Sequence, residues 1–496
     1  MKHRSVDLEK GGNYATKSKM WVLILLSTSI IIFNDVGVVH VAASPTDWPM
    51  FHQNLNHTGL TPDIVTPPLN LAWTYKTGAG VSSSPAVSGG IVYVGSMDDK
   101  VYALNDSTGG VVWNYTTGGA VVSSPAVSGG TVYVNSEDGN LYALNAATGA
   151  VIWTHQIGST DLGSSPAVSG SVVYTGSDDG NLYALDAGSG AVIWTYKTGD
   201  DVYSSPAVSG SAVYVGSKDH TVYAVNAETG TRVWKYTTRS PVESSPAVSD
   251  GIVYIGIEDN YLDAFYAATG AKIWNRKSHD IIFSSPAVSG GIVYVGSDDG
   301  NVAALNATSG AVIWKYTTGG KVESSPAVSG GIVYVGSDDN NVYALDASTG
   351  TVIWNYTTGD PVSSSPAVSG DSVYVGSMDG NVYAFATAAT SAPTTVPSAS
   401  AMIQAFNSSM SSSSTESGQQ AVSGPSVMTF SPTTLLLIGV AVALVVILVV
   451  MLRRPKPTRA ATSQTPRTDL VYCERCGAQS PSAKQFCEKC GAKLKP

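Results

Sequence analysis

Short apolar segments alternate with clusters of turn-forming residues along most of the chain. Residues 323–358 show the pattern, with apolar or small-residue stretches at 324–328, 332–335, 341–345 and 352–356. Ser-Gly-Gly, Asp-Asp-Asn and Ser-Thr-Gly separate the stretches, and such residues favour tight turns. Because the stretches are too short for helices and are mostly β-branched or aromatic, they predict four short strands.

This unit recurs eight times at a nearly constant spacing. The tryptophan of its last strand recurs every 40 residues, and once after 41, at Trp73, Trp113, Trp153, Trp194, Trp234, Trp274, Trp314 and Trp354. A Ser-Pro-Ala-Val tetrapeptide keeps the same period. Repeats of about 40 residues with four strands each are typical of propeller blades. The sequence therefore predicts an all-β fold, an eight-bladed β-propeller of four-stranded blades over residues 44–387.

Side-chain size predicts the order of the strands within a blade. We expect the Ser-Ser-Pro-Ala stretch to be innermost, where eight blades converge and only small side chains fit. The tryptophan strand is expected outermost, where its large ring fills the space between blades. The last copy has strands at 366–368, 373–375 and 382–385 but no tryptophan strand, whereas the first copy begins with a lone one at 71–76. This N-terminal strand is expected to complete the eighth blade and close the ring.

Two apolar runs outside the repeats predict membrane attachment. Residues 21–33 follow five lysines and arginines, which is the arrangement of a signal peptide, and Ala43 ends a small-residue cleavage site. An uncleaved anchor within 1–43 is the alternative. Residues 435–452 form a run of 18 uncharged, apolar residues, long enough for a transmembrane helix. A buried core helix is the alternative there, but it fits poorly with the polar stretch before the run and the basic stretch after it.

Basic residues directly after the second run predict its orientation. Arg453, Arg454, Lys456 and Arg459 mark the cytoplasmic side of a membrane span. The propeller is then extracytoplasmic and the C-terminal tail cytoplasmic, in a single-pass protein of the cell membrane. Residues 388–430, between the propeller and the span, are rich in Ser, Thr, Ala and Pro and are expected to form a flexible stalk.

All four cysteines lie at the C-terminal end, after a basic linker at 453–470. They form two Cys-x-x-Cys pairs, Cys473 with Cys476 and Cys487 with Cys490. Four thiolates at this spacing are typical of a closed, structural zinc site, so 471–496 is predicted to be a zinc ribbon that holds Zn²⁺. Disulfides or redox thiols are the alternatives, and the predicted cytoplasmic side disfavours disulfides. The ribbon offers a docking point for a cytoplasmic partner.

The charge distribution restricts the classes of partner. The chain has a net charge of −10, and residues 44–387 carry 12 Lys and Arg against 30 Asp and Glu. Residues 453–496 are basic, with ten Lys and Arg against three acidic residues. An acidic body repels phosphate backbones, so the propeller is not expected to bind nucleic acid.

The stretch that leads into each tryptophan carries a family resemblance. Residues 344–354, Ala-Leu-Asp-Ala-Ser-Thr-Gly-Thr-Val-Ile-Trp, resemble the tryptophan-docking motif of propellers of the pyrroloquinoline-quinone (PQQ) type, and 47–59 looks like their common lead-in. The quinoprotein alcohol dehydrogenases of that superfamily hold PQQ and calcium on long insertions, for which repeats of 40 residues leave no room. The other branch, similar to the outer-membrane assembly scaffold BamB, has no cofactor.

The resemblance therefore implies a scaffold that binds a protein or a glycan, with no enzymatic activity and no PQQ. A dehydrogenase dependent on PQQ and calcium is the alternative. Function has to be argued from a site rather than from a fold, and the resemblance is specific for the fold alone. No catalytic residue is predicted.

The loops from each tryptophan strand to the next Ser-Ser-Pro vary far more among the copies than the strands do. Binding residues concentrate in loops held by a rigid scaffold, although drift in solvent-exposed loops would produce the same variation. The candidate binding residues are Asp200, Asp201, Tyr203, Arg239, Glu243, His279, Asp280, Phe283, Lys321 and Glu323. Acidic pairs in the neighbouring hairpin turns, such as Asp298-Asp299, favour turn formation over calcium binding, which needs about six to eight convergent oxygens.

Overall fold

The computed structural model describes residues 47–159, 163–387, 470–472 and 479–481. The first two ranges form eight β-sheets, each built on four antiparallel strands that we name inner, second, third and outer in order from the axis, and a short fifth strand joins the seventh sheet. Inner strands of successive blades are neighbours, and those of the first and eighth blades complete the circle. The predicted all-β, eight-bladed propeller is confirmed.

The strands have nearly the same bounds in every blade. The inner strands are Ala86–Ser88, Ala126–Ser128, Ala167–Ser169, Ala207–Ser209, Ala247–Ser249, Ala287–Ser289, Ala327–Ser329 and Ala367–Ser369. The second strands are Ile91–Ser96, Thr131–Asn135, Val172–Gly176, Ala212–Ser217, Ile252–Ile257, Ile292–Gly296, Ile332–Gly336 and Ser372–Gly376. The third strands are Lys100–Asn105, Asn140–Asn145, Asn181–Asp186, Thr221–Asn226, Tyr261–Tyr266, Asn301–Asn306, Asn341–Asp346 and Asn381–Thr387. The outer strands are Val111–Thr116, Val151–Gln156, Val192–Lys197, Arg232–Thr237, Lys272–Lys277, Val312–Thr317, Val352–Thr357 and, for the eighth blade, Leu69–Lys76.

The N-terminal strand closes the ring as the sequence predicts. Leu69–Lys76 pairs antiparallel with Asn381–Thr387, which places Trp73 opposite Ala384. The strand begins at Leu69, two residues earlier than predicted. The Leu69 carbonyl accepts a hydrogen bond of 3.0 Å from the indole N–H of Trp354 in the seventh blade. The two ends of the repeat array are therefore joined by both a strand ladder and a tryptophan contact.

The innermost stretch differs from its prediction, because its strand begins at Ala rather than at Ser. The Ser-Ser-Pro residues precede each inner strand, and the second serine joins neighbouring blades instead of pairing within one. Its backbone N–H donates to the hydroxyl of the matching serine in the next blade over 2.9–3.1 Å, in an unbroken circle of Ser84, Ser124, Ser165, Ser205, Ser245, Ser285, Ser325 and Ser365. Serine is therefore selected here for its hydrogen bond as well as for its size.

The tryptophans lie in the outer strands, as predicted, and each contacts the following blade. In every case the indole N–H donates to a backbone carbonyl of that blade over 2.7–3.0 Å. The Trp73 ring lies against Gly109, where an added Cβ atom would approach it to 2.6 Å. Gly109 also has a φ of +69°, so both space and backbone conformation require glycine in the Thr-Gly of this motif.

Residues 47–65 follow the inner edge of the ring on one face of the propeller. Their backbone carbonyls accept hydrogen bonds of 2.6–2.8 Å from inner-strand N–H groups, those of Val87, Val127, Val208, Val248, Val288 and Val328. Leu60–Thr61 pairs parallel with Ala327–Ser329, and an Asp63 carboxylate oxygen accepts from Gly370 N–H at 2.7 Å. Met50, His52 and His57 are buried within this segment. Residues 47–65 thus satisfy donors that the innermost strands would otherwise leave unpaired.

A second, separate unit at the C-terminal end contains one described pair of strands. Leu470–Tyr472 and Gln479–Pro481 pair antiparallel, with Tyr472 opposite Gln479. The four cysteines predicted to bind zinc lie outside the described residues, as do the segments 1–43, 388–430 and 435–452. The described ranges contain no helix with the length and apolar character needed to cross a membrane.

Candidate functional site

The two faces of the propeller differ in what covers them. Residues 47–65 occupy the face that carries the turns between inner and second strands. The opposite face carries the loops that join each outer strand to the next inner strand, together with the turns between second and third strands. We name this face the mouth. Within the described part of the chain, the mouth is the end of the channel that residues 47–65 leave uncovered.

The second residue of each mouth turn is aspartate in all eight blades, and in most of them it has a structural role. In six blades a tyrosine hydroxyl of the third strand donates to its carboxylate over 2.5–2.7 Å, as in the pair of Tyr223 and Asp219. In five blades the same carboxylate accepts from a glycine N–H of the adjacent loop, as in Gly199 to Asp219 at 2.7 Å. In the blades that make these bonds the aspartate fixes the loop, whereas Asp259 of the fifth blade has neither partner.

The residue before each Ser-Ser-Pro lies around the channel and differs from blade to blade. In blade order it is Ser82, Val122, Gly163, Tyr203, Glu243, Phe283, Glu323 and Ser363. The four predicted binding residues in this set, from Tyr203 to Glu323, are half-buried. A Cβ atom on Gly163 would lie 2.7 Å from the Tyr203 ring, so these two consecutive positions of the circle contact each other. The structure therefore brings these four predicted residues onto one rim.

A first polar cluster lies where the third, fourth and fifth blades meet at the mouth. The Lys218 ammonium is 3.9 Å from the centre of the Tyr203 ring and 3.0 Å from the Glu243 carboxylate. Glu258 is close enough for the Glu243 charge to act on it. Burial raises the pKa of Glu258, and the neighbouring Glu243 raises it further. This cluster combines an aromatic face with more negative than positive charge.

A second polar cluster lies between the sixth and seventh blades. The Lys321 ammonium is 2.7 Å from Asp298 and 3.8 Å from Glu323. Burial raises the pKa of Glu323, and the charges of Asp338 and Asp298 raise it further. Burial likewise raises the pKa of Asp338. Three carboxylates therefore surround one ammonium group, which leaves an excess of negative charge at the rim.

The other predicted residues lie farther out on the same loops. Asp200, Arg239, His279 and Asp280 are exposed, and Asp201 is half-buried. The carboxylates of Asp200 and Asp280 each accept a hydrogen bond from the next N–H along the chain, at 2.9 Å, which is local turn chemistry. Asp201 adjoins the first polar cluster, since its carbonyl accepts a hydrogen bond of 2.9 Å from Lys218 N–H, whereas the other four lie outside both clusters.

The partners of the rim residues were not predicted as such from the sequence, which indicated Asp298 and Asp338 as turn formers and did not single out Lys218 or Glu258. Lys218, Glu258, Asp298 and Asp338 occupy the first position of the mouth turns, immediately before the invariant aspartate. Comparing the eight copies at that position would have revealed them, because it holds Met, Glu, Asp, Lys, Glu, Asp, Asp and Met in blade order. A variable position beside an invariant one indicates that the side chain is not needed for the turn itself.

The donor set at the mouth does not suit the calcium ion that accompanies PQQ. No group of three or more His, Cys, Asp or Glu side chains in the described ranges is placed to hold a metal ion. Where three carboxylates do approach one another, the Lys321 ammonium lies among them.

Comparison with known proteins identifies the repeats. The family model described as outer membrane protein assembly factor BamB matches residues 69–201, 144–280 and 258–400. Comparison with curated proteins gives no match. Among solved structures, BamB from Moraxella catarrhalis is similar to this chain at 22% identity, with 64% of this chain and 100% of that one covered and a TM-score of 0.57.

Two dehydrogenase structures share the fold at lower identity. Quinohemoprotein alcohol dehydrogenase from Comamonas testosteroni is 17% identical over 70% of this chain and 81% of its own, with a TM-score of 0.60. A europium-containing methanol dehydrogenase is 16% identical over 69% and 98%, also with a TM-score of 0.60. Likeness at these identities concerns the fold alone.

Proposed function

Since the chain belongs to the family described as outer membrane protein assembly factor BamB, we propose that its propeller is a non-enzymatic scaffold that binds an extracytoplasmic protein or glycan at the mouth. One observation carries this proposal: side chains vary from blade to blade at the mouth, on a frame whose serines, tryptophans and turn aspartates are repeated throughout. Variable loops held by a rigid scaffold are the usual arrangement of a binding surface.

The chemistry of the rim supports a partner that presents cationic groups. Tyr203 and Phe283 are half-buried aromatic residues, a type enriched among the residues that dominate binding energy. Each polar cluster has more carboxylates than ammonium groups, so each attracts positive charge. The net acidity of the propeller acts in the same direction over longer range.

Attachment to the membrane is part of the same proposal. A signal peptide or anchor at 1–43 and a single transmembrane helix at 435–452 would hold the propeller outside the cell, on a stalk formed by 388–430. The positive charges after residue 452 support a cytoplasmic tail. The doubled Cys-x-x-Cys spacing supports a zinc ribbon at 471–496 that meets a cytoplasmic partner.

Site-specific photo-crosslinking in the full-length chain tests the binding surface. A photoreactive amino acid in place of Tyr203 or Phe283 is expected to capture the same partner from native membranes. The matched control replaces Thr195, which is exposed on an outer strand. Equal capture from Thr195 would contradict a binding surface at the mouth. Addition of PQQ with Ca²⁺ is expected to give no dye-linked alcohol dehydrogenase activity, and activity would refute the scaffold proposal.

The zinc content of the purified full-length chain tests the ribbon. We expect one zinc ion per chain, measured by elemental analysis after exhaustive dialysis. Replacing both Cys487 and Cys490 with serine is expected to abolish it, because two remaining thiolates do not complete a tetrahedral structural site. Retention of zinc by this variant, or a disulfide between the cysteines in the native chain, would contradict the prediction.

A further inference from the structure

The fifth blade departs from the contact that joins most neighbouring blades. At five junctions a tyrosine of the outer strand packs against the third-strand tyrosine of the next blade, with ring centres 5.4–5.9 Å apart. The third-strand tyrosine is the one that donates to the invariant turn aspartate. In the fifth blade Asp263 takes its place, beside the turn aspartate Asp259 and opposite Tyr236 of the fourth blade.

Removing the tyrosine leaves a pocket of about 160 Å³ between the fourth and fifth blades, close to the mouth. Its walls include both aspartates, Tyr236, Tyr261 and Asn275, and Arg239 lies at its edge. Arg239 is the one residue of the predicted binding set that lines this pocket. The pocket is lined by more polar than apolar groups, unlike the five junctions at which two tyrosine rings meet.

The Asp263 carboxylate is 1% exposed and only partly paired. Its Oδ2 atom is 2.5 Å from the Lys272 ammonium, which also lies 4.7 Å from the centre of the Tyr236 ring. Its Oδ1 atom has no hydrogen-bond partner, and neither has Oδ1 of Asp259. Burial raises the pKa of Asp263, against the opposing effect of Lys272, and the charge of Asp259 raises it further. Buried acceptors without donors are costly, so an occupant that donates hydrogen bonds to these oxygens would be stabilised in this pocket.

The charges of the pocket favour a neutral occupant. Asp259 and Asp263 are balanced by Lys272 and Arg239, which leaves no net charge to attract an ion. Lys272 occupies the position next to Asp263 that a metal ion would need, and the described residues contain no cluster of three metal-binding side chains. The occupant must donate hydrogen bonds to carboxylate oxygens, accept them from Asn275 and Arg239, and pack against a tyrosine ring.

A single sugar ring meets these requirements. Neighbouring hydroxyl groups can donate to two carboxylates and accept from amide and guanidinium N–H groups, while the C–H face of the ring packs on an aromatic side chain. At about 30 Å³ per water molecule the pocket holds roughly five waters, which is the space one six-membered sugar ring displaces. We propose that this pocket, built on Asp259 and Asp263, binds one neutral sugar unit. The site is separate from the rim residues and does not require the partner proposed for the mouth.

The eight copies supply a variant that removes the pocket and is expected to fold. Asp263→Tyr with Lys272→Val restores the residues found at these positions in most blades, refills the space and gives Asp259 its tyrosine donor. Saturation-transfer NMR of the full-length chain with methyl glycosides of glucose, galactose, mannose and N-acetylglucosamine is expected to show binding of at least one. The restored variant is expected to bind that sugar at least tenfold more weakly, with no loss of thermal stability.

Two further measurements separate this proposal from the scaffold proposal. Tyr261→Ala, at a half-buried position of the pocket wall, is expected to weaken sugar binding even if the double variant does not fold. The double variant Tyr203→Ala/Phe283→Ala is expected to leave sugar binding unchanged, since its residues lie at the rim. Absence of binding by all four sugars, or equal binding by the wild type and the restored variant, would overturn the proposal. Preferential binding of methylammonium over the glycosides would also overturn it.

Discussion

Replacing Gly216 with alanine is expected to lower the free energy of unfolding by about 3 kcal/mol. Gly216 lies in the second strand of the fourth blade, where that strand contacts the loop that enters the fifth blade. A Cβ atom there would lie 2.5 Å from Val242 Cγ1 and 2.6 Å from the Val242 carbonyl oxygen. The Val242 side chain is fully buried, so it has no free space into which to move. Relief of the clash requires displacement of the loop backbone.

Gly210→Ala provides the matched control in the same blade. Gly210 has a φ of +60°, and an added Cβ atom there would meet nothing within 4 Å. Its replacement is expected to cost about 1 kcal/mol, from backbone conformation alone. Urea unfolding followed by tryptophan fluorescence measures both variants. Equal losses would show that close approach to Val242 does not explain why this position is glycine.

The second blade shows how the chain accommodates a side chain at this position. Asn135 replaces the glycine, and its side-chain amide donates to the Ser164 carbonyl and the Thr175 hydroxyl, both at 2.7 Å. The repeat spacing from this blade to the next is 41 residues instead of 40. The loop that would otherwise supply a close valine carries the extra residue here, with Gly163 directly before its Ser-Ser-Pro. The single irregular spacing therefore coincides with the one blade in which asparagine replaces this glycine.

The blades and their closure could be predicted because local chemistry determines them. Turn residues and β-branched stretches define each strand, and the lone tryptophan strand at the start matches the one missing at the end. The pairing of Leu69–Lys76 with Asn381–Thr387 followed from that count. Size alone also placed serine inside and tryptophan outside, since space increases from the axis to the circumference.

Contacts between positions far apart in the chain could not be predicted in the same way. Nothing local indicates that Lys218 pairs with Glu243, or that Ser365 donates to Ser84 across 281 residues. The lead-in at 47–59 looked like a family feature, and its role of covering inner-strand N–H groups emerges only with the ring closed. Asp263 appears in the sequence as one more acidic residue. Its role in forming the pocket becomes visible only when it is compared with the tyrosine that occupies the same position at most other blade junctions.

Acidification from pH 7 to pH 5 is expected to cost the propeller about 4 kcal/mol through two histidines of the lead-in. His52 and His57 are both 2% exposed. Burial lowers the pKa of His52 to about 4. Burial, together with the nearby His52, lowers the pKa of His57 to about 3. The unfolded chain protonates both near pH 6.5, so below that pH it binds more protons than the folded chain, and stability falls until the folded values are reached.

The geometry explains why the folded chain resists these protons. Nδ1 of His52 is 3.2 Å from the His57 carbonyl, and Nδ1 of His57 is 3.2 Å from the Pro246 carbonyl. Carbonyls only accept, so each Nδ1 carries the proton of a neutral ring. Protonation of His52 would place a second N–H at its buried Nε2, which has no hydrogen-bond partner. Protonation of both histidines would place two positive rings close together, because the ring centres are 6.4 Å apart.

The double variant His52→Gln/His57→Gln isolates this effect, because glutamine does not ionise in this range. Urea unfolding at pH 7 and pH 5 is expected to show that the stability difference between wild type and variant shifts by about 4 kcal/mol in favour of the variant. Each single variant is expected to give about half of that shift. Carboxylates with raised pKa values, such as Asp263 and Glu323, act with the opposite sign but cancel in the comparison. Parallel pH profiles for wild type and the double variant would contradict the prediction. They would mean that both histidines have the same pKa in the folded chain as in the unfolded chain.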